Sequence, residues 1–454
     1  MTRASTSRAA RGERALEHFR AEFARSEVAR ASDPAWVVTL RRRAFAHLGE
    51  IGFPTVRDEE WRFTNVAPVL ETPFVSGAGP NESQAPRRIP PFAFHHAAGV
   101  QLVFVNGYFV PALSTGPDAV PGVRAESLAA ALAQRPDALG FHLGRVAAFE
   151  GHGFRALNTA FLCDGAVIEI AANAVLAEPI HLLFLASAPD GATVSHPRVL
   201  IMAGEDSQAR IVETYAGLDT GPYLANAVTE VVVGDGAVID HCRVEQDGDQ
   251  AFHLGATDAI VHRSASYTSH VVTFGASLSR SEIAVTLAGE GATCTLDGLY
   301  IAGGARLVDH HTEIDHARPH CTSHELYKGV LAGRARAVFN GRIRVRPDAQ
   351  KTDAKQTNRT LLLSDEAQIN TKPQLQIFAN DVKCTHGATV GQLSEDALFY
   401  LRSRGIGGDE ARALLIHAFS REILDRMPLE PLRRHLDALL VAELRTMAGD
   451  GRTA

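Results

Sequence analysis

The amino-acid sequence predicts a mainly β protein, with a parallel β-helix core and helical regions at both ends. Three observations support this fold class. From about residue 101 onward, apolar runs of strand length alternate with short polar turns. Turns of one kind recur about 30 residues, or a multiple of that, apart, which is typical of stacked solenoid coils. Near both chain ends, the apolar residues change to the spacing of amphipathic helices.

The first segment, residues 1–95, is predicted to be a helical region followed by a linker. Apolar residues follow helical spacing from Glu13 to Val38, and the pattern repeats from Trp36 to Leu48. The breakers in Gly52-Phe-Pro54 then end the second helix. Residues 71–95 are rich in proline, glycine and serine, so they are predicted to form the linker.

The second segment, residues 96–393, is predicted to form the β-helix core. Turns in which glycine precedes an acidic residue recur at Gly204, Gly234 and Gly289. No helical pattern separates the apolar runs, which argues against a doubly wound parallel sheet. A β-sandwich is an alternative, but repeated corners at a fixed period favour a β-helix, in which each coil buries its apolar face on the next.

The third segment, residues 394–454, is predicted to be helical and to cap the solenoid. Ser394 and the acids after it are typical of a helix N-terminus, and Gly405–Gly408 ends that helix. A final amphipathic helix is predicted over 432–447. The solenoid is expected to fold without the residues after about 405. The middle helix carries an apolar stripe of Leu414, Leu415, Ala418, Phe419 and Ile423.

Composition and cysteine usage argue against several classes of protein. The 454 residues carry a net charge of −7 with no interior block of Lys or Arg, whereas nucleic-acid binding requires a basic face. No run of about 18 apolar residues exists, so no transmembrane helix is predicted. Five widely spaced cysteines without a C-x-x-C pair argue against a disulfide scaffold or a self-contained zinc site. They fit the reducing cytoplasm.

The most specific candidate site is Cys384-Thr-His386. Strand alternation places Cys384 and His386 on one face, with Lys383 on the other. A thiolate and an imidazole together can bind a borderline ion such as Fe(II), and Lys383 is expected to favour the thiolate. Whether this face is inward or outward stays open. The alternative interpretation is a small buried cysteine and a hydrogen-bonded histidine that line a coil.

A second candidate is the histidine-rich stretch from Asp309 to His324. In a strand, His310, His316 and His320 are expected to share one face, although Pro319 interrupts the ladder. No H-x-x-x-H pair with a glutamate base is present, so a metalloprotease is excluded. We expect these residues to be polar groups on the outer wall of the solenoid, with transient metal affinity at most.

Two functions from other classes remain alternatives on the residues alone. One is a β-helix enzyme acting on a polysaccharide or acyl substrate, with Asp235 and Asp240 as paired carboxylates. The other is a homodimeric metal-storage protein that uses the histidine-rich stretch. No phosphate-binding loop, dinucleotide fingerprint or nucleophile elbow is found, so the chain is not expected to hydrolyse nucleotides itself.

Several long motifs, in order, resemble the SufB/SufD family, and its SufD branch more than SufB. They are DEEWRFTNVAP near the N-terminus, DHHTEIDHARPHCTSHELYKGVL from Asp309, and FNGRIRVRPDAQKTDAKQTNRTLLLSDEAQINTKPQLQIFANDVKCTHGATVG further on. The coils between about residues 100 and 300 resemble the family only in their alternation of short apolar runs and polar turns. The resemblance implies a right-handed β-helix and a noncatalytic scaffold for iron–sulfur cluster assembly.

The resemblance also implies partners and a site. A SufB-like subunit would pair through the solenoid, a SufC-like ABC-type ATPase would bind the C-terminal helices, and a homodimer is allowed when the chain is alone. A nascent cluster or iron would lie at the subunit interface, where the family histidine matches His386 and the neighbouring cysteine of the C-x-H pattern matches Cys384. The expected compartment is the cytoplasm.

Overall fold

The computed structural model describes residues 2–77, 99–116 and 120–450, in which strands outnumber helices. Two long sheets stack into a parallel solenoid, with helices at both ends of the chain. The predicted fold class, a mainly β solenoid with helical terminal regions, is therefore confirmed.

The N-terminal region begins with two helices, α1 (Thr2–Ala29) and α2 (Ala35–Ile51), and continues with one 3-10 turn and the short helix α3 (Ala67–Glu71). Helical spacing is found from Glu13 to Val38, but the first helix ends at Ala29 and the second begins at Ala35. The chain breaks before α2 because Pro34 lacks an N–H and is tolerated only at the start of a helix.

Only the beginning of the predicted linker lies within the described residues. Residues 71–77 contain the end of α3 and the strand β1 (Val75–Ser76), which pairs in parallel with a strand of the solenoid at Thr193 and Val194. The remainder, residues 78–95, lies outside the described residues.

The solenoid starts with an irregular part and then becomes regular. The irregular part contains β2 (Val100–Val105), β3 (Tyr108–Phe109), β4 (Val123–Ser127), α4 (Leu128–Gln134), α5 (Pro136–Leu139) and α6 (Gly153–Ala160). The strands that follow are β5 (Gly165–Ile170), β6 (Ile180–Ala186), β7 (Thr193–Ser195), β8 (Arg198–Ala203), β9 (Gln208–Gly217), β10 (Tyr223–Val233), β11 (Val238–Gln246), β12 (Phe252–Val261), β13 (Ser266–Thr273), β14 (Leu278–Leu287), β15 (Thr293–Ala302), β16 (Leu307–His316), β17 (Thr322–Leu331), β18 (Arg336–Val345), β19 (Asp353–Leu362), β20 (Gln368–Ile377) and β21 (Lys383–Gly391).

From β8 onward, successive strands alternate between the two sheets, so each coil adds one strand to each. Sheet A runs in the order β4-β5-β8-β10-β12-β14-β16-β18-β20, and sheet B in the order β3-β2-β6-β9-β11-β13-β15-β17-β19-β21. Among the strands from β8 onward, paired residues in neighbouring coils are separated by 26 to 32 positions in the sequence. The shortest separation is that of Phe252 and Leu278, and the longest that of Arg336 and Gln368. This repeat confirms the predicted period.

A ladder of left-handed residues explains the repeated corner turns. At this corner, one residue per coil has a positive φ, for example 53° at Asp206, 67° at Gly236 and 59° at His320. The Asp206 N–H donates to the Asp235 carbonyl of the next coil, and the His320 N–H donates to the Gln350 carbonyl in the same way. Glycine and short polar residues recur here because they tolerate this conformation best.

The interior of the solenoid, here called the lumen, contains the main apolar core between the two sheets. Helices cover the outer faces of the sheets. Side chains of α1, α2 and α6, such as Phe19, Leu48 and Phe154, pack on residues of sheet A that include Phe252 and Leu278.

The C-terminal helices are α7 (Glu395–Ser403), α8 (Gly408–Leu424) and α9 (Glu430–Asp450). The prediction that they cap the solenoid is wrong: α8 and α9 lie along the outer face of sheet B, where Ile423 and Leu440 pack on Val244 and Leu299. That face is apolar, so it offers these helices a larger burial area than the coil end does. None of the described helices is both long and apolar enough to cross a membrane.

Candidate functional site

Within residues 2–77, 99–116 and 120–450, no further coil stacks on the last coil of the solenoid. Strands β20 and β21 are the terminal strands of sheets A and B, and each pairs with a strand on one side only. Backbone N–H and C=O groups on the other side therefore remain free to pair with another chain. We call this part of the molecule the open end.

The strand register places both residues of the predicted site at the open end. Cys384 lies beside Ala354 and His386 beside Gln356. Because Ala354 and Gln356 are buried in the lumen, Cys384 and His386 occupy lumen-facing positions of the final coil, where nothing stacks on them. Cys384 is half-buried and His386 is exposed. Both side chains can thus be reached from outside, although their strand face points inward.

The surroundings of Cys384 favour the neutral thiol. Cys384 packs on a small buried apolar cluster that includes Ile343 and Ala354. Burial raises the pKa of its thiol, and the Asp353 carboxylate raises it further. The expectation that Lys383 favours the thiolate is therefore wrong. Lys383 sits on the opposite, exposed face of β21, where water screens its charge.

Exposed apolar side chains also lie on or directly after the two terminal strands. Ile377 and Phe378 follow each other at the end of β20 and are 40% and 59% exposed, and Val390 on β21 is 45% exposed. Neighbouring exposed apolar side chains beside unpaired strand edges are typical of a surface that another chain covers. Sequence reasoning missed these three residues. The aliphatic–aromatic pair just before the Asn380-Asp381 turn was the available signal.

The histidine-rich stretch does not converge on one site. His310 and His316 share a face as predicted, but they are buried in the lumen and not on the outer wall. His320 lies at the corner turn, outside the strand, and His324 is exposed on the outer face of sheet B. In the part of the chain that the structure describes, no group of three or more His, Cys, Asp or Glu residues could hold a metal ion.

Two further residues of this stretch connect sheet A to the N-terminal motif DEEWRFTNVAP. The Asp309 carboxylate accepts a hydrogen bond from Thr64 at 2.5 Å and pairs with Arg280, whose guanidinium lies 3.7 Å from the Trp61 ring centroid. Burial alone would raise the pKa of Asp309, but Arg280 and His311 outweigh it and hold the pKa far below its usual value. These contacts give Asp309 and His311 a structural role.

A cleft of about 430 Å³ lies beside this junction, between the N-terminal segment and sheet A. Arg155 bridges the carboxylates of Asp258 and Glu282, and Arg280 also pairs with Glu282. These ion pairs fill the polar wall of the cleft, so its charges stabilise the junction.

The paired carboxylates considered for a polysaccharide-active enzyme do not line this cleft. Asp235 lies in a corner turn and pairs with Arg263, whereas Asp240 lies on β11 of sheet B. The cleft lies on sheet A. The geometry therefore gives the enzyme alternative no support.

A second exposed apolar surface lies on the C-terminal helices. Phe399 and Tyr400 on α7 are 73% and 57% exposed, and Leu414 on α8 is 45% exposed. The predicted stripe is only partly buried, because Leu414 and Ala418 face solvent while Ile423 packs on sheet B. We call Phe399, Tyr400 and Leu414 the helical patch.

Polar contacts fasten the other side of α8 to sheet B. Lys328 on β17 is almost fully buried, donates to the Phe419 carbonyl at 2.8 Å and pairs with Glu422. Arg426, just after α8, donates to Asp297 on β15 at 3.1 Å. The α8 part of the helical patch, Leu414, therefore lies on a firmly attached helix.

Comparisons with known proteins identify the family of the chain. Residues 184–419 match the family described as SUF system FeS cluster assembly, SufBD core domain, and residues 16–182 match the SufBD protein N-terminal region. The chain is 37% identical over 409 residues to an iron–sulfur cluster assembly SufBD family protein of Synechocystis sp., covering 88% of this chain and 89% of that protein.

Two SufD proteins are also similar to the chain. The iron–sulfur cluster assembly protein SufD of Escherichia coli is 30% identical over 400 residues, which cover 87% of this chain and 90% of that protein. SufD of Bacillus subtilis is 26% identical over 303 residues, which cover 65% of this chain and 67% of that protein. With the family match spanning both the solenoid and the region before it, the chain belongs to the SufBD family of SUF-system iron–sulfur cluster assembly proteins.

Proposed function

We propose that this chain is a SufD-like, noncatalytic scaffold subunit that helps to build an iron–sulfur cluster. Family membership supports the assembly role, and the similarity to two SufD proteins supports the SufD-like assignment. One structural observation carries the proposal further: Cys384 and His386 lie two residues apart on one face of β21, the terminal strand of sheet B. The five free cysteines suit a reducing compartment, and we propose the cytoplasm.

The open end is the proposed docking surface for a SufB-like subunit. Strands of a second solenoid can pair with its two free strand edges and so continue both sheets. This docking would bury the exposed side chains of Ile377, Phe378 and Val390. Pro373 in β20 removes one N–H from that strand, which leaves β21 the more regular edge. A homodimer of this chain, when it is alone, would use the same edges.

The cluster, or iron before it, is the cargo of the proposed site. The Cys384 sulfur and a His386 ring nitrogen are both ligands that iron accepts. Two ligands are too few to hold a cluster, so the second chain would supply the others at the interface. The raised pKa of Cys384 makes its thiol a poor ligand until it loses its proton. His386 is therefore proposed as the more important of the two.

The helical patch is the proposed docking surface for a SufC-like ABC-type ATPase. Phe399, Tyr400 and Leu414 expose more apolar surface than helices that only cover a sheet require. Because Lys328 and Asp297 fasten α8 to sheet B, movement of a docked ATPase would be transmitted to the solenoid. ATP hydrolysis itself would belong to that partner.

The test is to co-express the chain with a SufB-like and a SufC-like subunit and to measure complex recovery and cluster yield together. His386→Ala should leave recovery and Tm near wild type, because an exposed imidazole contributes little to stability. Cluster yield should fall at least about tenfold. Cys384→Ala should give a milder defect.

The matched control is His324→Ala, which removes an exposed histidine from the outer face of sheet B. It should leave the cluster yield unchanged. A normal yield with His386→Ala, or failure of the wild-type chain to recover either partner, would contradict the proposal.

A further inference from the structure

A column of polar side chains leads from the lumen to His386. In sheet B, Glu325 lies beside Gln356, and Gln356 lies beside His386. Neighbouring strands are about 4.8 Å apart, so in-register side chains on one face meet directly. Glu325 and Gln356 are 3% and 1% exposed, whereas His386 is exposed at the open end.

Only one half of the Gln356 amide is hydrogen-bonded. Its Nε2 donates to Glu325 Oε2 at 2.7 Å, while its Oε1 is buried and has no hydrogen-bond partner among the described residues. Gly341 in sheet A makes room for this amide, because a Cβ at that position would lie 2.1 Å from Gln356 Nε2. A buried amide oxygen without a partner costs about 1–3 kcal/mol, so its presence requires an explanation.

The orientation of the amide follows from its neighbour. An ionised carboxylate only accepts hydrogen bonds, so Glu325 in its ionised form holds the NH₂ group of Gln356 and leaves the oxygen as an acceptor. The neighbour of Gln356 on the other side is His386, whose imidazole carries an N–H. Water competes for that N–H while the open end is exposed, and a docked chain would exclude the water.

We propose that Gln356 is a positioning residue for His386, and that Glu325 holds Gln356 in its working orientation. When a second chain covers the open end, Gln356 Oε1 accepts the imidazole N–H and thereby selects the ring tautomer. The other ring nitrogen is then left unprotonated and directed at the incoming iron, as hydrogen-bonded histidine ligands are elsewhere. This inference rests on the proposed function.

The experiment uses the complex of the full chain with its SufB-like and SufC-like partners, with ¹⁵N-labelled histidine in this chain. Burial raises the pKa of Glu325 to about 7, so spectra are recorded at pH 8, where the carboxylate is ionised. The ring signals of His386 are identified by their absence in His386→Gln. The wild-type complex should show one predominant His386 tautomer.

Two variants test how strongly Gln356 and Glu325 control the His386 tautomer. Gln356→Leu removes the acceptor, so His386 should become a mixture of tautomers and the initial rate of cluster formation should fall about tenfold. Glu325→Gln keeps the acceptor but no longer fixes the amide, so a partial tautomer change and a loss of a few-fold are expected. Wild-type tautomer and rate in Gln356→Leu would overturn the inference.

The matched control is Asn358→Leu. Asn358 is the next lumen-facing residue of β19, is equally buried, and bonds to Tyr300 and Thr371 instead. The Asn358→Leu variant should have a lower Tm than wild type but the same His386 tautomer. If Gln356→Leu fails to fold, Glu325→Gln becomes the test of the inference. An unchanged His386 tautomer in Glu325→Gln would then overturn it.

The same experiment separates this inference from the proposed function. If His386→Ala leaves the cluster yield of the complex unchanged, the proposed function fails and the inference falls with it. If His386→Ala lowers the yield while Gln356→Leu changes neither rate nor tautomer, only the inference fails.

Discussion

At the residue scale, the lumen contains titratable side chains in an environment that disfavours their charged forms. The His310 ring lies between Tyr300 and Tyr327, with ring centroids 5.2 Å away on both sides. Both His310 nitrogens are buried without a hydrogen-bond partner in the described chain. Burial lowers the pKa of His310 to about 4, so the folded protein holds it neutral at pH 7.

His310 therefore makes folding sensitive to acid. Its pKa is about 6.5 in an unfolded chain, so the unfolded state binds a proton more readily. The stability associated with neutral His310 is fully present above pH 6.5 and is lost as the pH falls towards 4. His310→Leu should make the loss of Tm between pH 6.5 and 4.5 smaller by about 2–4 °C. Thermal unfolding across this pH range measures it.

The control comes from the same histidine-rich stretch. His324→Leu changes an exposed side chain and should leave the pH dependence of Tm unchanged. The dependence should not vanish in His310→Leu, because burial also lowers the pKa of His316 and His270 to about 4. An identical pH profile in wild type and His310→Leu would show that His310 is not held neutral.

At the scale of single elements, the terminal strands decide where this chain can meet another. The Phe378 side chain is exposed directly after β20, next to Ile377. An aromatic side chain at the centre of such a surface commonly contributes most to binding. A lysine there would bring an unpaired charge into the interface.

Phe378→Lys is therefore expected to weaken binding of the SufB-like subunit at least about tenfold, or about 1.4 kcal/mol. Tm should stay near wild type, since the side chain is already in water. Calorimetric titration of one subunit with the other measures the affinity. Phe141→Lys is the control, because Phe141 is 77% exposed on the other terminal part of the solenoid. Equal effects of the two substitutions would argue against docking at the open end.

At the scale of the whole molecule, the C-terminal helices are part of the fold. They bury one outer face of sheet B, including Val244, Leu299 and Ile301, and they cover the ammonium group of Lys328. Removing them would expose a continuous apolar surface, which folded monomers rarely tolerate. The solenoid is therefore not expected to fold without them, contrary to the expectation from the sequence.

A chain truncated after Arg404 should accumulate as aggregate, whereas Phe399→Ser should give a folded, non-aggregated protein that no longer binds the SufC-like ATPase. Size-exclusion chromatography and ATPase pull-down of both variants make the comparison. Val28→Ser is the control for the point substitution, because Val28 is 81% exposed on α1. A soluble, folded truncated chain would mean that sheet B is stable without its helical cover.

The local sequence pattern was sufficient to predict much of the fold. Apolar runs and corner turns predicted parallel coils of about 30 residues, because each coil repeats the same backbone path and needs a left-handed residue at the same corner. Alternation along a strand also predicted that Cys384 and His386 share a face. The order of long motifs indicated the family before any fold was known.

Other properties were decided by contacts between distant parts of the chain. His310 and His311 are adjacent in sequence, yet one lies in the lumen and the other meets Glu60 at the N-terminal junction. The position of the C-terminal helices, on the flank of sheet B and not over its end, follows from apolar residues more than 80 positions earlier in the chain.

The sequence by itself thus determined the repeat, the strand faces and the candidate pair Cys384 and His386. Only the tertiary structure decided which face turns inward, which coil is last, and that Gln356 lies beside His386 with an oxygen that no described residue bonds. The physical reason is that periodicity records which side chains share a face. What that face meets depends on the coils stacked about 30 residues before and after it, and at the open end the coil after it is missing.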